Sequence, residues 1–228
     1  MLKLKTDINT SFADYEQSPL IKVLLADSHA VMRSGLRYIL EASNQVEIIA
    51  EADSGEQAYK LYGEVLPDVV VMELVMSKMG GLEALSRIKT RHHEARVIII
   101  SMDENITYAT QALAAGAVGY ISKSGGAEDL VTAVNAAAKG NNYLSAEMAM
   151  NVALKNTSHD DPIQELTTRE FEVFRLLAEG KTVEEIAKCL KVCQKTVANY
   201  QTLLRQKLGI HSPVDLVSIA VKSNIITL

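Results

Sequence analysis

Five short apolar runs, rich in valine and isoleucine, recur through the first half of the chain, and stretches with helical spacing separate them. The runs cover residues 21–26, 46–50, 68–72, 96–100 and 118–121. Apolar runs of this length are typical of strands that are buried on both faces of a parallel sheet. The helical patterns cover residues 30–41, 56–64, 82–89, 107–115 and 127–139. Strands that alternate with helices predict a doubly wound α/β domain with a five-stranded parallel sheet, ending near Gly140.

Only helix signals follow Leu166. Helix starts are marked there by capping-box or N-cap spacing: Thr167 with Glu170, Thr182 with Glu185, and Ser212 with Pro213 and Asp215. These signals predict four short helices that form a small all-α domain. Ser54 and Gln57 have the same capping-box spacing and predict the start of the second helix of the α/β domain.

The chain therefore divides into four predicted segments. Residues 1–20 form a flexible tail, residues 21–145 the α/β domain, residues 146–165 a linker with a short helix, and residues 166–228 the all-α domain. The linker assignment rests on a polar stretch that contains Pro162.

Composition narrows the function classes. No apolar run is long enough to span a bilayer, and the polar N-terminus lacks the apolar core of a signal peptide. Two cysteines are too few for a disulfide scaffold, so we expect a cytoplasmic protein with reduced thiols and no membrane partner. Cys189 and Cys193 are four residues apart, which leaves open either a redox switch or two idle thiols.

Polar residues follow several of the predicted strands, at the edge where open parallel sheets bind ligands. The residues are Asp27, Ser28, Glu73, Ser101, Tyr120 and Lys123. Carboxylates, hydroxyls and an ammonium group that meet in one crevice can hold a phosphoryl group or a metal ion. Taken singly, each of them is more simply interpreted as a strand end in solvent, and only their order together favours a site.

The order of these residues resembles the receiver domain of two-component response regulators. The resemblance covers residues 21–145 and rests on Leu24-Leu25-Ala26-Asp27, Pro67-Asp68-Val69-Val70-Val71-Met72, Gly80-Gly81-Leu82, Ile100-Ser101 and Ala115-Gly116-Ala117-Val118-Gly119-Tyr120-Ile121-Ser122-Lys123. It implies a strand-end aspartate that accepts a phosphoryl group from a sensor histidine kinase, beside two acids that hold Mg²⁺. Asp27, Ser101, Tyr120 and Lys123 match that pattern.

Three positions depart from the receiver pattern. Glu73 stands in place of the acceptor aspartate, Ser28 in place of the second acid, and Ser77 in place of a common proline. Loss of an acid weakens a Mg²⁺ site, so we expect no metal or cofactor beyond weak Mg²⁺ at Asp27 and Glu73. The longer Glu73 side chain displaces the reacting oxygen, and a shift of about 1 Å can slow a reaction about 100-fold.

We therefore predict that ordinary aspartate phosphorylation does not switch this domain. In the favoured hypothesis, Glu73 pairs with Lys123 and maintains a phosphorylated-like state. An inert dimerisation scaffold and residual phosphorylation are the alternatives. We find no activated nucleophile or phosphate-binding glycine loop, so no catalytic residue is assigned; an enzyme using Asp27, Glu73 and Lys123 is the competing class.

The all-α segment resembles the LuxR-type helix-turn-helix of the NarL/FixJ subfamily. The resemblance rests on Leu166-Thr167-Thr168-Arg169-Glu170, Leu177-Ala178-Glu179-Gly180-Lys181-Thr182, Glu185-Ile186-Ala187 and Lys195-Thr196-Val197, and it implies a recognition helix over residues 194–208. Helical spacing puts Val197, Leu204 and Leu208 inward. The predicted DNA-binding residues are Lys191, Gln194, Lys195, Thr196, Asn199, Thr202, Arg205, Gln206 and Lys207.

Charge is distributed unevenly between the two domains. The chain has a net charge of −5, but no acid lies between Glu185 and Asp215, where five cations occur. We predict a homodimeric transcription regulator that binds double-stranded DNA with inverted half-sites, and RNA polymerase is a further candidate partner. Ala198 stands in place of a lysine that the family commonly has, and Val183-Glu184 in place of an asparagine-lysine pair. These changes leave open an interaction module that has lost specific DNA binding.

Overall fold

The computed structural model describes residues 19–76, 79–102, 104–157 and 162–226. Most of the predicted tail, Ser77 and part of the predicted linker lie outside these ranges. Parallel strands form one sheet in the order β2-β1-β3-β4-β5-β6. Their bounds are β1 Ile21–Ala26, β2 Val46–Ala52, β3 Val69–Glu73, β4 Val97–Ser101, β5 Gly119–Ser122 and β6 Tyr143–Leu144.

Helices cover both faces of the sheet, which confirms the doubly wound fold. They are α1 Ala30–Ala42, α2 Gly55–Val65, α3 Gly81–Arg91, α4 Ile106–Ala114 and α5 Ala127–Ala138. Alternate residues of each strand face opposite sides, so Val23 and Leu25 pack with α1 and α5, whereas Leu24 packs on the side of α2, α3 and α4. This arrangement directs the carboxyl ends of the strands to one edge.

The sixth strand, β6, was not predicted. It contains only two residues, which is too short for a periodic pattern to be visible in the sequence. The backbone N–H of Tyr143 donates to the carbonyl of Val118 at 2.8 Å, and its hydroxyl contacts Asp129 at 3.0 Å. Helix α6, Ala146–Thr157, follows and packs on α4, so this part of the predicted linker belongs to the core.

The C-terminal segment contains the four predicted helices. After a 3-10 helix, Pro162–Glu165, come α7 Thr168–Ala178, α8 Val183–Leu190, α9 Gln194–Leu208 and α10 Pro213–Lys222. The capping boxes at α7, α8 and α10 are all formed as predicted. Helix α2 begins at Gly55 with Ser54 as its N-cap, as predicted, but its capping box is not formed. The Ser54 side chain makes no cap hydrogen bond, and Gln57 accepts instead from the backbone N–H of Asp53.

The helical domain packs directly on the α/β domain. Phe171 of α7 and Tyr108 of α4 lie in one continuous hydrophobic core. Within the described residues, no helix combines the length and apolarity that a membrane crossing requires.

Candidate functional site

The predicted crevice forms at the carboxyl edge of the sheet. Asp27 follows β1, Glu73 ends β3, Ser101 ends β4, and Lys123 follows β5. The side chains of Asp27, Glu73 and Lys123 are 0%, 7% and 2% exposed. The site is therefore a closed cluster of charges, and none of these three is a strand end in solvent.

The Lys123 ammonium lies between two carboxylates. Its Nζ is 2.6 Å from Asp27 Oδ2, and it also forms an ion pair with Glu73 Oε2. A buried charge is stable only when it is paired and hydrogen-bonded, and this geometry satisfies that condition. The Lys123 backbone N–H donates to the Ser101 carbonyl at 2.7 Å, which fixes the lysine at the end of the sheet.

The other predicted crevice residues lie nearby but have different surroundings. The Ser28 hydroxyl is half-buried and lies 3.4 Å from His29 Nδ1, so it is directed at the histidine. Tyr120 is buried at the edge of the hydrophobic core. Sequence reasoning missed Arg33, whose guanidinium donates to the Asp27 carbonyl at 2.6 Å and to Glu51 at 2.8 Å. Arg33 lies on α1, six residues after Asp27, and this spacing is the only signal in the sequence for its contact with Asp27.

Three side chains at the crevice form a group that could hold a metal ion. Asp27, His29 and Glu73 each place a ligand atom within 4.8 Å of the other two. However, the Lys123 ammonium contacts both carboxylates and neutralises one of their charges. Mg²⁺ prefers an octahedral shell of oxygen ligands, whereas this cluster offers a histidine and a competing cation.

The predicted DNA-binding face lies on α9. Val197, Leu204 and Leu208 are buried as predicted and attach this helix to its domain. The predicted outward residues Gln194, Lys195, Asn199, Thr202, Arg205 and Gln206 are exposed, and Thr196 is half-buried. The exposed surface of α9 therefore presents amide, hydroxyl and cationic groups and carries no acid.

Three of the five cations around α9 already have acidic partners. Lys188 pairs with Glu184, Lys191 with Glu56 and Lys207 with Glu170, each at 2.7 Å. Among the described acids, none forms an ion pair with Lys195 or Arg205. Lys207 was predicted as a DNA-binding residue, but its ammonium is turned towards Glu170 and the Glu165 carbonyl. Burial raises the pKa of Glu170, but hydrogen bonds from Lys207 and Thr167 outweigh burial, and the net shift of that pKa is downward.

Cys193 is the N-cap residue of α9. Its Sγ is 3.1 Å from the Thr196 hydroxyl, and this hydrogen bond, with nearby backbone N–H groups, lowers the pKa of the thiol. Cys189 is half-buried, and both thiols are free.

Comparison with known proteins agrees with this architecture. Residues 23–135 match the response regulator receiver domain, and residues 164–220 match the bacterial regulatory proteins of the luxR family. The chain is 33% identical over 210 residues to the response regulator GacA of Pseudomonas aeruginosa, covering 91% of this chain and 98% of GacA. The chain belongs to the response regulators.

Two further relatives match nearly end to end. The oxygen regulatory protein NreC of Staphylococcus aureus is 35% identical over 215 residues, covering 90% of this chain and 99% of NreC. The solved structure of the Salmonella typhimurium response regulator RcsB, described in terms of conformational dynamism for DNA interaction, is 25% identical with a TM-score of 0.70. That match covers 90% of this chain and 99% of RcsB. The α/β domain is thus the receiver domain and the helical segment is a LuxR-type DNA-binding domain.

The two domains of this response regulator are joined by specific polar contacts. Gln111 of α4 donates to the Ile163 carbonyl at 2.8 Å, and Asn105 donates to the Ser223 and Asn224 carbonyls at 3.0 and 2.6 Å. These pairs are separated by 52 to 119 residues, so no sequence pattern could reveal them.

A buried acid also lies on this boundary. Glu172 of α7 rests against Gly80 of the receiver domain, where an added Cβ would lie 2.5 Å from Glu172 Oε1. Burial raises the pKa of Glu172, and the partly compensating charge is Arg169, whose guanidinium lies 2.8 Å from Oε2. A side chain at position 80 would therefore displace the Glu172 carboxylate, which is the far end of a flexible side chain.

Proposed function

We propose that this response regulator binds double-stranded DNA through the exposed surface of α9 and controls transcription. The main support is the exposed surface of α9, which is polar and contains no acid. Amide side chains can pair with adenine edges, and cations can pair with guanine or phosphate. The solved RcsB structure, described in terms of DNA interaction, supports it. Two protomers related by a two-fold axis would read inverted half-sites, and RNA polymerase is the further partner. The proposal places the regulator in the cytoplasm, where bacterial DNA lies.

DNA binding can be tested with duplexes from the regulator's own promoter region. The double variant Lys195→Ala/Asn199→Ala removes one cation and one amide from the exposed surface of α9. We expect it to weaken binding by about 10-fold or more, since a good base or phosphate contact contributes about 1–3 kcal/mol. The matched control is Lys139→Ala/Asn141→Ala, which removes the same two chemical groups from the exposed end of α5. Equal affinity of the two double variants would contradict the assigned surface.

We further propose that aspartate-type phosphorylation does not control the receiver domain. The supporting observation is the Lys123 ammonium, which is already paired with Asp27 and with the Glu73 carboxylate. In this arrangement the Glu73 carboxylate supplies the negative charge that a phosphoryl group would bring. Weak or absent Mg²⁺ binding belongs to the same proposal, because the ammonium competes with the ion.

Phosphorylation can be tested by intact mass after incubation with acetyl phosphate and Mg²⁺. We expect no stable adduct of phosphoryl mass on the wild-type protein. An adduct that disappears in Glu73→Gln would show that Glu73 is an acceptor and would contradict the proposal. Phosphate that binds without forming a covalent bond would leave the mass of the protein unchanged, in agreement with the proposal.

A further inference from the structure

A cavity of about 310 Å³ lies next to the segment that carries Lys123. It is bounded by the end of β5, the first turn of α5, strand β6 and the first two turns of α6. The residues that line it do not include Asp27, Glu73 or Lys123, so it is separate from the charged crevice. Sites for small molecules typically have volumes of about 300–1,000 Å³, so this cavity is large enough for a small organic ligand.

Part of the cavity lining is apolar and rigid. Tyr120 and Met148 line the cavity and are both buried in the hydrophobic core. Tyr143 also lines it, and its hydroxyl donates to Asp129 Oδ1 at 3.0 Å, which fixes the ring. A hydrocarbon chain in the cavity would therefore pack against aromatic and aliphatic surface that is already held in place.

The polar part of the lining contains three carboxylates, those of Glu104, Asp129 and Glu147. The hydroxyls of Ser124 and Ser122 both donate to Glu104 Oε1, the second at 2.8 Å. These hydrogen bonds lower the pKa of Glu104, so its carboxylate is charged at neutral pH. Both bonds end on Oε1, and none of the described residues donates to Oε2, which is thus available to a ligand.

The three carboxylates have no positive partner in the part of the chain that the structure describes. No lysine, arginine or histidine there forms an ion pair with any of them. Lys123 is the cation nearest to the cavity in sequence, but it is already paired with Asp27 and Glu73. Negative charges in a partly enclosed space raise the local concentration of cations, so the cavity favours a positively charged ligand.

The spacing of the carboxylates distinguishes an organic cation from a metal ion. Among the described residues, only Asp27, His29 and Glu73 form a group of three potential ligands whose atoms all lie within 4.8 Å of one another. The carboxylates of the cavity are therefore too far apart to surround one ion, whereas Ca²⁺ takes about six to eight oxygen ligands in a compact shell. Separated charges instead match a chain that carries several ammonium groups.

We propose that this cavity binds a linear polyamine, with its ammonium groups at the carboxylates and its methylene chain against Tyr120 and Met148. An ammonium group carries only donors, and the carboxylates of the lining are acceptors. The ligand would also contact Ser122 and Ser124, which flank Lys123, and so would meet the loop that carries this lysine. The inference does not rest on the proposed DNA-binding function.

Isothermal titration calorimetry of the full chain with spermidine tests the site. We expect one saturable site per wild-type chain. Glu104→Gln/Glu147→Gln removes two of the three charges and should weaken binding by about 10-fold or more, because hydrogen bonds to charged groups are the strong ones. The matched control, Glu128→Gln/Glu165→Gln, removes the same charge from two exposed acids outside the cavity and should bind like the wild type.

Asn151→Trp provides a second variant that keeps every carboxylate. It places a large ring on the α6 side of the cavity, where Asn151 is exposed, and should also weaken spermidine binding. Wild-type affinity in Asn151→Trp, equal affinity of the two double variants, or no saturable binding by the wild type would each overturn the proposal. Calcium chloride is titrated in parallel, and Ca²⁺ binding that is lost in Glu104→Gln/Glu147→Gln would show a metal site instead.

Discussion

The ring of Tyr108 meets the ring of Phe171 edge-on, with 5.5 Å between the ring centroids. This contact joins α4 of the receiver domain to α7, the first long helix of the DNA-binding domain. Edge-to-face aromatic pairs contribute about 0.5–1.5 kcal/mol beyond the burial of their area. Together with the hydrogen bond from Gln111 to the Ile163 carbonyl, the ring pair holds the two domains in one packed unit.

Removal of the Tyr108 ring should separate the domains. We expect Tyr108→Ala to lower the free energy of unfolding by about 3–5 kcal/mol, the usual loss for a large buried ring. Calorimetry should then resolve two transitions, and scattering should show a larger radius of gyration. Tyr108→Leu keeps apolar volume and should have a smaller effect on both. A single unshifted transition in Tyr108→Ala would contradict the joining role.

Glu172 should make the docked arrangement dependent on pH. Burial raises the pKa of this carboxyl, with Glu83 adding to the rise and Arg169 and Arg175 opposing it. A group whose pKa is raised in the folded state stabilises that state below its unfolded pKa and loses this contribution as pH rises through the folded value. The wild type should therefore lose more stability than Glu172→Gln over the pH range above 4.5, the ordinary pKa of a glutamate.

Thermal midpoints of the two proteins across this range measure the difference. Glu165→Gln, an exposed acid close in sequence, serves as the control and should follow the wild type. If Glu172→Gln shows the same pH dependence as the wild type, the Glu172 carboxyl is not the source of that dependence.

The salt dependence of DNA binding should reflect which cations are unpaired. Lys195 and Arg205 have no ion-pair partner among the described acids, whereas Lys188 pairs with Glu184 at 2.7 Å. Each phosphate neutralised contributes about −0.9 to the slope of log K against log salt. We expect Lys195→Ala to reduce this slope by about 1 for each protomer, and Lys188→Ala to change it less. Equal changes in the two variants would show that the Glu184 pair opens in the complex.

Aspartates at positions 28 and 73 should restore phosphorylation. The double variant Ser28→Asp/Glu73→Asp supplies the second Mg²⁺ ligand and shortens the acceptor by one methylene. Intact mass after acetyl phosphate and Mg²⁺ should show an adduct, formed about 100-fold faster than any on the wild type. Ser28→Asp/Glu73→Asn lacks an acceptor and should stay unmodified. Absence of an adduct in both variants would show that the ion pairs of Lys123, and not the residues at positions 28 and 73, prevent phosphorylation.

The sequence was sufficient for much of the fold because its signals are local. Valine and isoleucine runs marked β1, β3 and β4, and capping boxes marked α7, α8 and α10. The cluster of Asp27, Glu73 and Lys123 was also predictable, because the carboxyl ends of parallel strands meet at one edge.

Contacts between distant segments were not predictable. Glu56 and Lys191 are 135 residues apart, and Lys207 and Glu170 are 37 apart, on helices whose relative placement no periodicity encodes. The sequence therefore could not show that the buried acid Glu170 pairs with Lys207, which was predicted as a DNA contact. Strand β6 was missed for a different reason, since two residues carry no pattern.

The ion pairs of Lys188, Lys191 and Lys207 bear on how such a protein searches a chromosome. Charge-driven attraction to phosphates treats every sequence alike, and a genome offers about 10⁶–10⁹ competing positions. When three of the five cations around α9 are paired with acids of the same chain, the protein spends little time on those positions, which leaves more molecules free to reach a cognate promoter. In the proposed mode of DNA binding, discrimination between promoters then depends on short-range hydrogen bonds from side chains such as Asn199 and Gln206. Occupancy of any one promoter becomes sensitive to how many copies of the protein the cell contains.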